Sequence, residues 1–538
     1  MINMRTIKYI TATLILSVAI VLSGCTDLSE TVYDEVTQDS FNPTPGDLAA
    51  LIATGYSPLR YIMGWQGLFD LQEEPADIMV TPTRPNGWDD GGTYKRMHWH
   101  LWNTQQWQPR NTWITCYNGI NKINLVMKQI NEGLVPVAEE LKPGFLAELR
   151  ALRALWYSIL VDTHGNVPVI TSFSDEIPEQ KTRVEVFNFV IDELTDPEVI
   201  DNLTTEVSPS TYGRVTKWVA STLLARMYLN AEVYTGTAHW QDCIDACDVV
   251  IDGNKFILEP DYKNNFVVNN EGSGEIIFAV PYDDIYAKQW NQHMKTLAVQ
   301  SREVFAMEAT PWGGSAANPQ FIDTYHPEDK RLADTWLKGQ QFTPSGDSVY
   351  VIKPDKPLNF TKELQSLFWT EEYEGYRNGK YEIVIGCKSS MSNDFPYFRY
   401  ADVLMMKAES MMRLGMEDLA ADIVTEVRLR AFDDPADAEV TGAELIGDTG
   451  FEKGTIDEDG NIDQPGNQSP LQYGRFLDEL GWEFACEARR RTDLIRFGKF
   501  TTYNWYNHVP VGDHTVLFPI GEAEMNTNPN LTQNPGYN

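Results

Sequence analysis

Residues 400–430 constrain the fold more than any other stretch of this chain. They read YADVLMMKAESMMRLG and then MEDLAADIVTEVRLR, two apolar-periodic segments joined at a glycine. That pattern predicts two amphipathic helices folded back on each other, with Ala408 and Gly415 as small residues allowing a tight crossing. Residues 214–251 repeat the design. The first half carries Trp218, Leu223, Leu224, Met227 and Tyr228, with Ala220 and Ala225 permitting close approach. After the turn TGTAH the second half carries Trp240, Ile244, Cys247 and Ile251. A chain holding two such hairpins is expected to be mainly α, built by stacking helix pairs. The pairs do not recur at the regular spacing of about 34 residues seen in continuous arrays, so the scaffold is interrupted.

Further helices are expected around Leu48–Tyr56, from Trp107 past Met127, and at about 183–195. Between residues 145 and 159, Phe145, Leu149, Leu152, Trp156 and Ile159 recur at alternating steps of four and three, one apolar stripe. Gly165 and Pro168 end that helix. A closing helix is expected over WEFACEARRRTDLIRFGKF, with Phe484, Ala488, Leu494 or Ile495, and Phe497 toward a core. EIIFAVPY at 275–282 and KYEIVIG at 380–386 read as short strands. Residues 81–103, rich in Pro, Gly and Trp, read as an extended surface loop. The C-terminal VLFPIGEAEMNTNPNLTQNPGYN reads as an irregular tail lying against the body.

At the other end, Ile10–Leu22 forms an apolar run behind Arg5 and Lys8, closed by Leu22-Ser23-Gly24-Cys25. The run is shorter than the roughly 20 apolar residues of a membrane-spanning helix. Its small-small-Cys ending fits a lipoprotein signal, in which Cys25 is lipidated and begins the mature chain. Several acyl chains together anchor stably where one would be marginal. Three segments follow: 1–24 as signal peptide, 25–45 as lipidated cysteine and tether, and 46–538 as one domain. That domain carries a loop-rich excursion at about 252–400 and a second at about 431–472.

A formal net charge of −34 makes nucleic acid a poor partner, because phosphate binding needs a positive surface. Of six cysteines, five remain after Cys25, without the spacing of a disulfide framework, and are expected to be buried thiols. His98 and His100 are the nearest histidine pair, with no third metal ligand at an interpretable distance. The chain has no HExxH, CxxC, Gly-x-Ser-x-Gly or phosphate-loop motif. Acidic doublets such as Asp89-Asp90 are expected by chance in a chain with 77 acidic residues. DEDGNID places Asp457, Asp459, Asn461 and Asp463 at alternate positions, like the start of a calcium loop, but the usual glycine position and distal Glu of an EF-hand are missing, so an acidic surface turn is the favoured reading and a structural calcium the alternative. No other cofactor is expected.

Three of the 15 tryptophans stand among polar or glycine neighbours: Trp88 in NGWDDGG, Trp290 in KQWNQH and Trp312 in TPWGGS. An indole exposed in a loop offers a flat apolar face that suits the C–H face of a sugar ring. Neighbouring Asp, Asn or Arg can then bond the hydroxyls around the rim. The competing reading is that such residues pin loops onto the scaffold, and it weighs most for Trp290.

Taken together, NDFPYFRYADVLMMKAES at 393–410, CEARRRTDLIRFGKF at 486–500, the C-terminal segment, FLAELRALRALWYSILVDTHGNVPVI and WDDGGTYKRMHWHLW resemble the RagB/SusD family of outer-membrane nutrient-binding lipoproteins. The resemblance implies a SusD-like fold: a helical core of four tetratricopeptide-like helix pairs, long irregular loops and minor short β-strands. It also implies a cell-surface protein of Bacteroidota, lipid-anchored in the outer membrane. Such a protein captures an oligo- or polysaccharide and delivers it to a SusC-type TonB-dependent transporter, without being an enzyme. By the same resemblance Trp88 matches an aromatic of the family's glycine-rich loop, and Trp312 lies in a segment bordering the sugar site. Asp89 and Arg377 are its candidate hydrogen-bonding partners, with Trp290 as a further aromatic. Arg399, Glu409, Arg490 and Asp493 are assigned to helix packing and buried ion pairs. Peptide or glycoprotein fragments are the alternative cargo, and a glycoside-processing enzyme is the more distant alternative.

Overall fold

A computed structural model describes residues 45–86, 88–173, 176–351 and 355–537. The apolar leader, Cys25 and the tether up to residue 44 lie outside the described residues. Eight helices form the scaffold: α1 (Pro45–Tyr56), α2 (Trp107–Asn131), α3 (Lys142–Thr163), α4 (Arg183–Thr195), α5 (Lys217–Leu229), α6 (Trp240–Asp252), α7 (Tyr400–Arg413) and α8 (Glu417–Arg428). Each packs against the next in chain order, from α1 on α2 through to α7 on α8. The striped helix is α3, with Leu149, Leu152 and Trp156 fully buried. It approaches α2 so closely at Gly119 that a Cβ there would lie 2.4 Å from the Trp156 ring. Local sequence fixes the helix starts. Thr182 and Glu185 form a reciprocal capping box on α4, and the Thr216 hydroxyl caps α5. The five cysteines of the body are all free and buried.

The long excursion between α6 and α7 is closed at its base by two strands, Ile276–Val280 and Phe395–Arg399, which pair antiparallel. The other strands are two- or three-residue pairs scattered through the loops. One hydrophobic cluster runs through the whole body, with members from Leu48 to Tyr537.

Four local expectations are corrected. KYEIVIG is not a strand; it leaves Ile385 60% exposed, and the adjacent Arg377–Asn378 pairs with Trp336–Leu337 instead. Residues 81–103 are not an extended surface loop. They contain a helix, Thr93–His98, and insert Tyr94, Met97 and Trp102 into the core. Gly415 serves the turn after α7 at φ +80 with open space around it, rather than a tight crossing. The closing helix is two helices, α9 (Gly474–Phe484) and α10 (Arg490–Arg496), separated by Cys486 and Ala488 at φ 62 and 58. Left-handed backbone at non-glycine residues costs about 1–3 kcal/mol each and persists only where the surroundings enforce it. Here the buried Lys380 ammonium donates to the carbonyls of Glu483 (3.2 Å) and Ala485 (2.8 Å), and the Tyr381 hydroxyl donates to that of Cys486 (3.2 Å). These bonds satisfy carbonyls that a continuous helix would have used internally.

The same region holds a buried ionic network. Arg399 bonds Glu275 (2.5 Å), Glu483 (3.0 Å) and Glu487 (2.8 Å); Arg430 shares Glu275 and Glu483. Arg331 joins Asp329, Glu479 and Glu483. Burial alone would raise the Glu483 carboxyl, but Arg430, Arg399 and Arg331 outweigh it and hold its pKa far below the usual range. Glu409 pairs with Arg496, Arg490 with Asp77, and Asp493 with Arg489 and Arg496. The four residues assigned to the scaffold are therefore interior ion-pair members.

Candidate functional site

Trp88 and Trp312 come together in space although 224 positions separate them in sequence. The exposed Asn86 side chain ties them. Its Oδ1 accepts the Trp88 backbone N–H at 2.9 Å, and its Nδ2 donates to the Trp312 carbonyl at 2.6 Å. Both indoles are half-buried. Trp88 rests near Tyr94, ring centroids 5.5 Å apart, and against the backbone of Gly314. The Trp312 backbone N–H donates to Met294 at 2.7 Å, so its loop is fixed to the excursion's interior. Trp65 completes the group: its ring lies 4.8 Å from that of Trp312, tilted by 55°. Trp65 stands between Gly64 and Gly67 in GWQG, the same signal used for Trp312, and was missed.

Polar groups flank these rings. Asp89 accepts from Thr83 Oγ1 at 2.6 Å and pairs with Lys95. Partial burial would raise its pKa, yet the Lys95 and Thr83 bonds hold it below the usual carboxylate range. Glu372 lies beside Gly313 with one carboxylate oxygen unpartnered, and burial pushes its pKa up. Thr83 and residues 367–370 exchange backbone bonds, Thr83 N to Leu367 O and Thr370 N to Thr83 O. This carries the exposed Phe368 and Trp369 alongside the base of the Trp88 loop; they too were missed.

A groove of about 600 Å³ lies beside the Gly64–Trp65 backbone, which touches its Gln289. Its lining includes Arg60, Tyr61, Lys122, Tyr286, Lys288 and Gln289. The Gln289 carbonyl passes so close to Gly64 that a Cβ there would sit 2.8 Å away, and the Trp65 N–H donates to Asn291. Tyr286, 88% exposed, went unnoticed because only tryptophans were weighed as platforms.

Two expected site residues belong elsewhere. Trp290 is wholly buried among Tyr282, Tyr381 and Phe395, so its ring offers no face to a ligand. Arg377 is also wholly buried. It donates to the carbonyls of Gly314, Ser315 and Glu372, which makes it a brace behind the Trp312 loop rather than a surface donor.

Residues 457–463 form the turn of a short hairpin. Asp457 Oδ1 accepts the N–H of Asp459 (3.0 Å) and Asn461 (2.8 Å), while Asp463 accepts from Thr455. The Asp457 and Asp463 oxygens thus serve the turn itself. His508 joins His98 and His100 in space, its ring 4.1 Å from that of His100, but each imidazole bonds a backbone carbonyl. Among the described residues no group of three or more His, Cys, Asp or Glu side chains is placed to hold a metal ion.

The decisive comparison is with family models. The model described as "SusD family" matches residues 223–537, and one described as "Starch-binding associating with outer membrane" matches residues 35–229. The chain belongs to the SusD family. Among curated relatives of this SusD-family chain, the starch-binding protein SusD of Bacteroides thetaiotaomicron is 26% identical over 482 residues, 80% of each chain. SusD-like protein P25 of Formosa agariphila is 23% identical over 533 residues, 94% of each chain. Among solved structures, B. fragilis NanU superposes with a TM-score of 0.70 at 20% identity, covering 95% of this chain and 100% of its own. Surface glycan-binding protein A from Bacteroides thetaiotaomicron, solved in complex with laminarihexaose, gives 0.67 at 18%, covering 91% and 100%. The mainly helical architecture with interspersed short strands is the SusD-like fold.

Proposed function

We propose that this protein is a non-enzymatic outer-membrane glycan-binding protein that captures an oligo- or polysaccharide and passes it to a SusC-type transporter. The observation that carries the reading is the Asn86 bridge. It joins the Trp88 loop to the Trp312 loop, whose indole lies against Trp65, making an aromatic surface edged by Asp89 and the Asn86 amide. Stacked indoles remove the apolar sugar face from water, while carboxylates and amides at their edge accept or donate to hydroxyls. Pre-positioned rings also avoid the cost of ordering them on binding. Family membership and the curated relative named as a starch-binding protein support the ligand class and the outer-membrane setting.

The eight scaffold helices group naturally as four tetratricopeptide-like pairs: α1 with α2, α3 with α4, α5 with α6, and α7 with α8. Cys25 is proposed to carry the lipid that holds the protein at the membrane, facing the cell exterior. Isothermal titration against a panel of oligosaccharides tests the binding function, with product analysis of each mixture. Binding without cleavage, lost in the Trp88→Ala/Trp312→Ala double variant, is the expected result. Cleaved products would move the protein to the enzyme class, and undiminished binding by the variant would remove the aromatic platform.

A further inference from the structure

We propose that the groove beside Trp65 makes this protein selective for acidic oligosaccharides, those carrying carboxylate or sulfate groups. The inference rests on the glycan-binding reading above and adds the charge of the ligand to it. In a chain of net charge −34, this groove is lined by three cations, Arg60, Lys122 and Lys288, and by no acidic side chain. Arg60 spends its Nε on the Pro281 carbonyl at 2.8 Å, which aims the guanidinium without neutralising it. Lys122 follows Thr115 and Asn118 at helical spacing on α2, so one helix face presents a cation beside two hydroxyl- or amide-bearing residues.

The nearby acids are already committed, and Asp394, which feels the Arg60 charge, accepts the Tyr282 backbone N–H and the Tyr212 hydroxyl at 2.8 Å each. Asp283 accepts the backbone N–H groups of Ile285 (2.8 Å) and Tyr286 (2.6 Å), and Asp284 pairs with Lys388 at 2.6 Å. The same Asp283 closes a tight turn with Ala287, exchanging two backbone bonds, so Tyr286 is exposed on a backbone that is pinned. Tyr61, 65% exposed, lines the same groove. Gln289, also in the lining, has a φ of 119, a left-handed conformation that a non-glycine residue keeps only when its surroundings impose it.

The groove and the tryptophan surface therefore differ in charge. At the Trp88 and Trp312 end Asp89 is paired with Lys95 and Glu372 is buried, so no unpaired cation is offered there; at the Tyr61 and Tyr286 end the flanking charges are cations. A sugar chain long enough to reach from the rings to the groove is oriented with its anionic groups at the cationic end, where guanidinium and ammonium groups form charge-assisted hydrogen bonds. The acidic remainder of the protein repels anions, which confines their binding to that end.

The test uses the mature protein and an array of matched oligosaccharides. Uronic-acid chains are compared with their carboxyl-reduced forms, and sulfated galactans with their desulfated forms. At least one acidic member is expected to bind about tenfold more tightly than its neutral partner, with affinity falling as salt rises. The Lys122→Gln/Lys288→Gln double variant is expected to lose that preference while keeping its affinity for neutral members. The carboxylate and sulfate arms show which anion is favoured. Neutral members bound as tightly as acidic ones, or a preference undiminished in the double variant, would overturn this inference and leave the glycan-binding reading standing. Absence of binding across the array would overturn both.

Discussion

The Trp88 ring fills the space beside Gly314 so completely that a Cβ added there would lie 1.8 Å from it. No side chain other than hydrogen at position 314 leaves this indole where it is. Gly314→Ala is expected to swing Trp88 out of line with Trp312 and weaken oligosaccharide binding about tenfold, roughly 1.4 kcal/mol. Titration of the variant, with circular dichroism to confirm its fold, checks this. Unchanged affinity would show that the position of Trp88 does not matter.

Arg399 holds three buried carboxylates together, and its removal leaves Glu275, Glu483 and Glu487 sharing only Arg430, Arg331 and Lys380. Arg399→Met is expected to cost about 3–5 kcal/mol of stability, because an uncompensated buried charge costs far more than the intact pair contributes. Urea unfolding of the variant and the parent measures this directly. A loss under about 1 kcal/mol would mean that water already reaches the network.

Acid is expected to weaken the fold well above the range where ordinary carboxylates titrate. Burial lowers the pKa of His98 and His293 to about 4, and that of His100 and His164 to about 3. The unfolded chain protonates these imidazoles near pH 6.5 and the folded one does not, so stability falls as pH drops from about 6.5 toward 4 and 3. Burial acts oppositely on Glu73, raised to about 7, and Asp394, raised to about 6. Their stabilising contribution is complete below the unfolded carboxylate pKa of about 4 and fades as pH rises through those values. His508 is lowered by burial too, and the downward displacements of these histidines exceed the upward ones of Glu73 and Asp394, although Glu372 and Asp478 are also raised. Thermal unfolding followed from pH 7 to pH 4 should show a steadily falling Tm, and a flat or rising Tm would contradict this balance.

Calcium is expected to leave the protein unchanged. Asp457 and Asp463 already accept hydrogen bonds within their own turn. Millimolar calcium and excess chelator should therefore give the same Tm. A calcium-dependent rise would show that Asp457, Asp459, Asn461 and Asp463 rearrange around the ion.

Periodicity located α3, α5, α6, α7 and α8, because an amphipathic helix writes its burial pattern into consecutive residues. It failed at KYEIVIG, where apolar residues suggested a strand but found no partner strand. It failed again between Phe484 and Arg490, where Lys380, about a hundred positions away, takes over the carbonyls and ends the helix. The tryptophan reading shows the same boundary. Trp88, Trp290 and Trp312 all have polar or glycine neighbours, yet two stand half-buried beside Trp65 and the third is enclosed by Tyr282, Tyr381 and Phe395.

The amino-acid order alone determined the amphipathic helices and the family, since each is written in local motifs; Arg399, Glu409, Arg490 and Asp493 could be assigned to interior ion pairs only by resemblance, because partners such as Asp77 for Arg490 lie in distant segments. Only the tertiary structure decided which indoles face outward, that Asn86 joins Trp88 to Trp312, and that Arg60, Lys122 and Lys288 share one groove. Those outcomes depend on which distant segments meet. The enthalpy and solvent exclusion that place them come from contacts made only after the chain has folded.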